Sequence, residues 1–441
     1  MAEAAAASRA LGARDVLRIP DFRRLFLAQA ISDIGDGMTF LALYLLVLDL
    51  TASTAAIAFV SILVALPPVT IGLVAGAYAD RLDRRRIMLV ADTLRAGIVL
   101  SLVLFPSPST LPVVFGLAFL QAVIGTFFSP ARAAMVPRVV PAEGLLAANS
   151  LSQMSRVVGS VVGLAFTGAV AGAAGVVWPA FVIDAATFLA SVAIVYGVSR
   201  GAGRIHDDAR SAARARGLRG SVADGLRVIR RSRPLVAVLG GVAVTMLGLG
   251  AINVLFVPFV FRDLGASPAW AGPIEGAQSL STILASGLVA ALGSRFRVSS
   301  LFVGGLVGVA VCVGSLAFAS NVWMVMASMF AVGWFVMPVH ATTMTIVQQA
   351  TDDEVRGRVT GTLNAVIQTA TIASMAAAGI LGDIVGIRTV FLAGGVVGGL
   401  AALVAWLLFR GARRPETRPG QEEAPGPEDH AIARSARRFP A

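Results

Sequence analysis

The sequence contains no lysine: all 36 basic side chains other than histidine are arginine. It has a single cysteine, Cys312, inside an apolar run, so no internal disulfide is possible and thiol chemistry is disfavoured. Histidine is nearly absent. Of His206, His340 and His430, only His340 falls in an apolar run, and no His/Cys/Asp/Glu spacing resembles a metal site, a nucleophile triad or a phosphate-binding loop. These absences argue against a membrane-embedded enzyme and an ATP-driven pump, and they predict no cofactor and no metal. The lack of a soluble signalling segment argues equally against a sensor. Charged residues are scarce at 14%, whereas 56% are hydrophobic, with a mean hydropathy of +0.81 over 441 residues. Soluble domains do not have this composition.

The apolar residues fall in twelve runs, at roughly 25–49, 54–79, 86–105, 112–136, 150–172, 178–198, 235–260, 270–293, 299–319, 322–347, 359–383 and 387–409. Each meets or approaches the ~20 residues needed to span a ~30 Å hydrocarbon core. The first is too long for the apolar segment of a signal peptide and no small-residue cleavage site follows it. A net charge of +11 invites a nucleic-acid reading. However, 31 of the arginines fall in alternate loops and both tails when the N-terminus is placed inside; Arg262 and Arg388 alone lie outside. This asymmetry predicts cytoplasmic termini and arginines facing anionic lipid rather than nucleic acid. The expected organisation is a cytoplasmic tail (1–24), a six-helix bundle (25–198), an Arg-rich loop (199–234), a second six-helix bundle (235–409) and a disordered tail (410–441). Ser221–Ile229 could form a short amphipathic helix along the inner surface.

The halves repeat roughly 210 residues apart. Ser129-Pro130-Ala131-Arg132 ends the fourth run, and Met337-Pro338-Val339-His340 lies at the matching place in the tenth. A six-plus-six parallel repeat implies two bundles facing each other across a midplane site, an architecture suited to a carrier.

Ionisable groups within these runs need a reason, because each costs several kcal/mol in lipid. Gln29, Asp33 and Asp36 stand at i, i+4 and i+7, on one helical face. From Leu25, Asp33 lies roughly 12 Å deep and Asp36 about 17 Å. A carboxyl removed from water holds a proton more readily, the condition for loading and unloading one per cycle. The alternative is a structural carboxylate satisfied by a neighbouring arginine. Asp92 and Arg95, at i and i+3, are expected to neutralise each other. Glu275, without an acid or base neighbour on its own helix, is expected to line a cavity with Gln278, and Asp184 lies shallow behind Trp178. Proton-coupling candidates are therefore Asp33, Asp36, Glu275 and Asp184. Cavity candidates are Gln29, Phe40, Asn253, Gln278, Arg132, His340 and Trp334, with Phe127, Phe128, Phe256 and Met337 as further apolar surface. Snorkelling is an equal explanation for Arg132, and plain packing for His340 and the aromatic residues.

Between the second and third runs stands Gly76-Ala77-Tyr78-Ala79-Asp80-Arg81-Leu82-Asp83-Arg84-Arg85-Arg86. Asp80 closes a helix at the end where the dipole disfavours an anion, so it needs an outside partner such as another helix N-terminus. Gly76, one turn earlier, would let a second helix come close. With Arg81, Arg84 and Arg85 this stretch resembles the loop signature of the major facilitator superfamily, although Asp83 stands where that pattern has glycine. Three further stretches resemble the branch holding enterobactin exporters and macrolide efflux proteins. They are Phe22-Arg23-Arg24-Leu25 leading into Ser32-Asp33-Ile34-Gly35-Asp36-Gly37, Ala147-Ala148-Asn149-Ser150, and Ile183-Asp184-Ala185-Ala186-Thr187-Phe188-Leu189. The resemblance implies a monomeric multi-pass carrier of the bacterial inner membrane, moving a small-molecule substrate with protons, bounded by membrane lipid. Two departures stand out: Gln121 occupies the place of the superfamily's helix-4 arginine, and Ser160 replaces the proline of the antiporter signature in Gly159-Ser160-Val161-Val162-Gly163. Proton-coupled export of a lipophilic molecule is the expected function, with lysophospholipid movement or nutrient uptake as alternatives within the same fold.

Overall fold

The computed structural model describes residues 11–79, 81–199, 218–292, 295–351 and 353–411, and among them there is no strand. Every apolar run is helical. We label the helices α1 (Pro20–Thr51), α2 (Thr54–Thr70 continued by Gly72–Ala79), α3 (Arg84–Leu102), α4 (Leu111–Val139), α5 (Leu145–Ala174) and α6 (Trp178–Tyr196). The second half has α7 (Arg233–Val257), α8 (Ala271–Leu292), α9 (Val298–Ser315), α10 (Val322–Ala350), α11 (Asp353–Val385) and α12 (Ile387–Gly411). Nine helices among the described residues are long and apolar enough to cross a membrane. The other three are α2, which carries Pro67-Pro68 and is interrupted at Ile71, α3, which carries Asp92 and Arg95, and α8, which carries Glu275 and Gln278.

Local chemistry sets the helix ends. Ser53 caps α2 by accepting from the Ala56 amide at 3.3 Å, and Asn321 caps α10 through Met324 at 3.0 Å. Asp83, where the family pattern has glycine, caps α3 by accepting from the amides of Arg85 and Arg86. Ala52 at the end of α1 is left-handed (φ 51°) and turns the chain tightly into α2.

Two of the loop arginines do not face lipid. Arg84 is buried and donates to the Ala79 carbonyl at the end of α2 (3.2 Å) and to Ala134 in α4 (3.3 Å). Arg85, also buried, donates to Val195 (3.3 Å) and Tyr196 (2.5 Å) and lies over the Tyr196 ring. Both place positive charge on carbonyls at a helix C-terminus, Arg84 at the end of α2 and Arg85 at the end of α6. Arg81 is exposed. Gly76 is not a close-approach glycine here, since a Cβ on it would meet nothing within 4 Å. Asp80 lies outside the described residues. The amphipathic segment is longer than expected, Leu218–Arg231, and it does not simply lie on a surface. Gly225 packs against Arg358 and Thr362 of α11, and Ile229 is buried among residues of the second half.

The two halves meet at one end of the molecule. At the end away from the chain termini a single apolar core crosses both halves, from Ile57 and Ala58 of α2 to Leu255 of α7 and Met375 of α11. At the end carrying the termini each half has its own core, Leu25–Met88–Met135 in the first and Leu235–Phe302–Val347 in the second. The closed end is tight. A Cβ added to Gly168 of α5 would collide with Pro268 in the turn before α8, one on Gly272 of α8 with Ala165 of α5, and one on Gly379 with Ala58 across α2–α11. Polar contacts finish the closure. The Asp383 carboxylate, at the end of α11, accepts from the Thr54 and Ala55 amides (2.8 and 3.1 Å) and from the Ser53 and Thr54 hydroxyls (2.6 and 2.8 Å). Arg262 donates to the Ala52 carbonyl. An anion therefore faces the N-terminus of α2 and a cation the C-terminus of α1, each matched to its helix dipole.

Candidate functional site: two cavities joined by α1

The first cavity, of about 600 Å³, is lined by α1 to α5 alone. Gln29, Asp33, Asp36, Arg95, Arg132 and Arg156 border it, so the i, i+4, i+7 face of α1 opens into a space lined by arginine. Glycines bring α5 against the opposite side of α1. A Cβ on Gly159 would press on Asp33, and one on Gly163 on the Ile34 carbonyl. Asp33 accepts from Ser155 of α5 at 2.8 Å. Gln29 donates to the Ser152 carbonyl at 3.0 Å and accepts from Arg132, which also reaches the Ser152 hydroxyl at 3.3 Å. Arg132 is thus buried and fixed by polar partners rather than snorkelling.

Asp36 is paired with Arg95 of α3. The expected Asp92–Arg95 ion pair is also present, but it is the longer of the two. Arg95 Nη1 is 3.9 Å from Asp92 Oδ1, whereas the fully buried Asp92 accepts through its other oxygen from Ser191 at 2.6 Å. Asp92 Oδ1 and Arg95 Nε are buried without a hydrogen-bond partner among the described residues. The guanidinium lies 4.1 Å from the Phe188 ring centroid and fits against Gly125, where a Cβ would come within 3.6 Å of it. The Asp36 side chain is 45% exposed to the cavity and that of Arg95 only 9%. The inner face of this pair is fixed and the outer face is open.

Asp184 has a different setting. It is fully buried, accepts from Thr39 at 2.5 Å and Thr187 at 3.0 Å, and presses on Gly35, where any Cβ would collide with it. It sits against the middle of α1 rather than shallowly, and it lines neither cavity.

The second cavity, of about 450 Å³, lies between the halves and is lined by α1, α5, α7, α8 and α10. Its walls are mainly apolar, and its polar side chains are Ser160, Asn253, Glu275 and Gln278. Glu275 and Gln278 share this wall with Phe40 and Phe256, and Ser160 stands here in place of the antiporter proline. No hydrogen bond or ion pair holds the Glu275 carboxylate among the described residues. Gln29 and Arg132 belong to the first cavity and not to this one. Trp334 and His340 line neither, although Val332 and Val336 beside Trp334 do, and His340 is exposed. Sequence reasoning found Asp92 as a partner of Arg95 and missed the nearer one, since pairing across 59 positions with Asp36 has no local signal.

A family model described as transmembrane secretion effector matches residues 13–430. YfiS, an uncharacterized MFS-type transporter of Bacillus subtilis (strain 168), is 27% identical over 406 residues, covering 89% of this chain and 94% of that protein. The multidrug efflux pump Tap of Mycobacterium tuberculosis (strain ATCC 25618 / H37Rv) is 29% identical over 396 residues, 86% of this chain and 91% of Tap. In fold, the chain is similar to the crystal structure of the nucleoside transporter NupG. The TM-score is 0.71 at 13% identity, over 89% of this chain and 99% of that one. A match over nearly all of the described helices, on a helical fold with a cavity between its halves, places the chain in the transmembrane secretion effector family of the major facilitator superfamily, a family of membrane transporters.

Proposed function

We propose that this transporter exports lipophilic small molecules across the bacterial inner membrane in exchange for protons, by alternating access of its two halves. The orientation follows from the arginine distribution, which puts both termini and the 199–234 segment in the cytoplasm. The described conformation is then closed outside and open inside. The similarity to a multidrug efflux pump over most of the chain supports export and a lipophilic substrate.

The observation that carries the coupling is the division of labour along α1. Asp36 faces the charged cavity and Phe40, one turn on, faces the apolar one. Neutralising Asp36 with a proton removes the counter-charge of Arg95. The guanidinium then has one carboxylate left within reach, Asp92, whose Oδ1 awaits a donor 3.9 Å away. Proton loading therefore leaves Arg95 with a partner on its own helix only, and releases α3 from α1. Phe40 shares that rigid helix, so the same movement reshapes the substrate cavity. Asp33, held by Ser155, modulates the field at Asp36. The chain lacks the superfamily's helix-4 arginine, and Arg95, lodged beside Gly125 of α4, supplies the cation in its place.

Substrate-stimulated proton flux in proteoliposomes, screened over a chemically diverse panel, tests this reading. Asp36→Asn should remain folded, keep substrate counterflow and lose uphill transport. Uphill transport that survives at the wild-type level would make Asp36 structural and sink the coupling scheme.

A further inference from the structure

We propose that the cavity between the halves is a cation site, in which Glu275 selects substrates bearing one positive charge on a lipophilic body, such as protonated amines and onium ions. This rests on the export reading above and narrows its substrate class. Glu275 is the only ionisable group among the described residues lining that cavity, and no arginine or histidine faces it there. Its carboxylate has no hydrogen-bond or ion-pair partner among the described residues. A carboxylate held away from water without a partner is unstable unless it is neutralised or meets a cation. The surroundings suit a greasy cation: Phe40 and Phe256 present ring surface that attracts positive charge, and Asn253 and Gln278 offer amide oxygens. At about 450 Å³ the space falls within the ~300–1,000 Å³ of drug-sized sites.

The position of Glu275 also links occupancy to the closed end. Gly272 and Gly276, which flank it on α8, carry that helix against Ala165 and Val161 of α5. Separation of α5 from α8 at that end uncovers the carboxylate to the far side. A cation seated there is released by the same movement that opens the halves.

The test uses the full-length purified protein in detergent and two probes of similar shape, tetraphenylphosphonium, a permanent monocation, and triphenylphosphine oxide, which is neutral. Wild type should bind the cation at least about tenfold more tightly than the neutral probe, a difference worth ~1.4 kcal/mol. Glu275→Gln should erase that preference while leaving affinity for the neutral probe unchanged, and Glu275→Asp should restore part of it. Intact binding of the neutral probe in Glu275→Gln also reports that the cavity has folded. A wild type that binds both probes equally, or a preference that survives in Glu275→Gln, overturns the cation assignment and leaves lipophilic export standing. Binding of neither probe by wild type overturns both.

Discussion

Replacing Asp383 with Asn removes the charge from the contact that shuts the end away from the termini, with almost no change in shape. In the wild type both carboxylate oxygens accept, two bonds coming from main-chain amides and two from hydroxyls of the Ser53-Thr54 turn. An asparagine oxygen can still accept from one amide and one hydroxyl, whereas its NH₂ can donate to the other hydroxyl but not to the other amide. What is lost is mainly the charge at the N-terminus of α2. In a partly buried setting that is worth up to about 2 kcal/mol, but Asp383 is exposed, so solvent holds the figure to about 0.3–1 kcal/mol. The contact joins the two halves and can exist only while that end is closed. Its loss should shift the balance of inward- and outward-open states about two- to fivefold toward outward-open. Spin labels on cysteines introduced at the exposed Ala173 and Ser320, in a Cys312→Ser background, would report the distance between halves by pulsed electron resonance. The long-distance population should grow in Asp383→Asn and the protein should melt as before. An unchanged distribution would mean that the glycine packing of α5–α8 and α2–α11 alone holds the end shut, and the charge–dipole argument would fail.

The cytoplasmic counterpart moves the equilibrium the other way: Asp80→Asn should favour the inward-open state and slow turnover without unfolding, which the same labels would show as a loss of long distances. Arg85→Ala should lower the melting temperature by several degrees, because it strips two carbonyl contacts from the end of α6, at Val195 and Tyr196, at a cost of about 1–3 kcal/mol; Arg81→Ala, at an exposed site, should leave melting within error. Reporter fusions after Arg200 and Arg410 should both signal a cytoplasmic location, and a periplasmic signal from either would overturn the orientation.

Much of the fold was legible because lipid imposes few choices. Backbone groups must be satisfied within each span, so apolar runs of the right length have to be helices, and every run identified in the sequence is one. The polar face of α1 was legible for the same reason, since 3.6-residue periodicity fixes which side chains share a face. Pairing between helices was not. Arg95 was assigned to Asp92 because the two are close in sequence, yet packing of α3 against α1 brings Asp36 nearer, and Phe188 and Gly125 fix the guanidinium on that side. Arg84 and Arg85 read as lipid-facing charge because composition cannot distinguish a snorkelling arginine from one that caps a neighbouring helix. Trp334 and His340 were proposed for the cavity on residue type and the symmetry of the halves. The face of α10 that reaches the cavity carries Met329, Val332 and Val336 instead.

Asp383 was missed by a rule that the sequence had already supplied. An aspartate at the C-terminal end of a helix opposes the dipole and needs an outside partner; this was applied to Asp80 and applies equally to Asp383. The helices concerned are α2 and α11, which run antiparallel across the boundary between the halves, so the end of each lies beside the start of the other. At the closed end, the carboxylate that ends α11 sits on the start of α2. At the opposite end, Asp80 follows the last residue of α2, and the start of α11 is the corresponding N-terminus. We expect this pair of helices to carry a charge–dipole contact for each end, with separation at one end accompanying approach at the other. Two contacts of one kind would nearly cancel in energy over the transport cycle. Neither state is then trapped, and a single proton or a single cationic substrate, worth a few kcal/mol, suffices to choose between them.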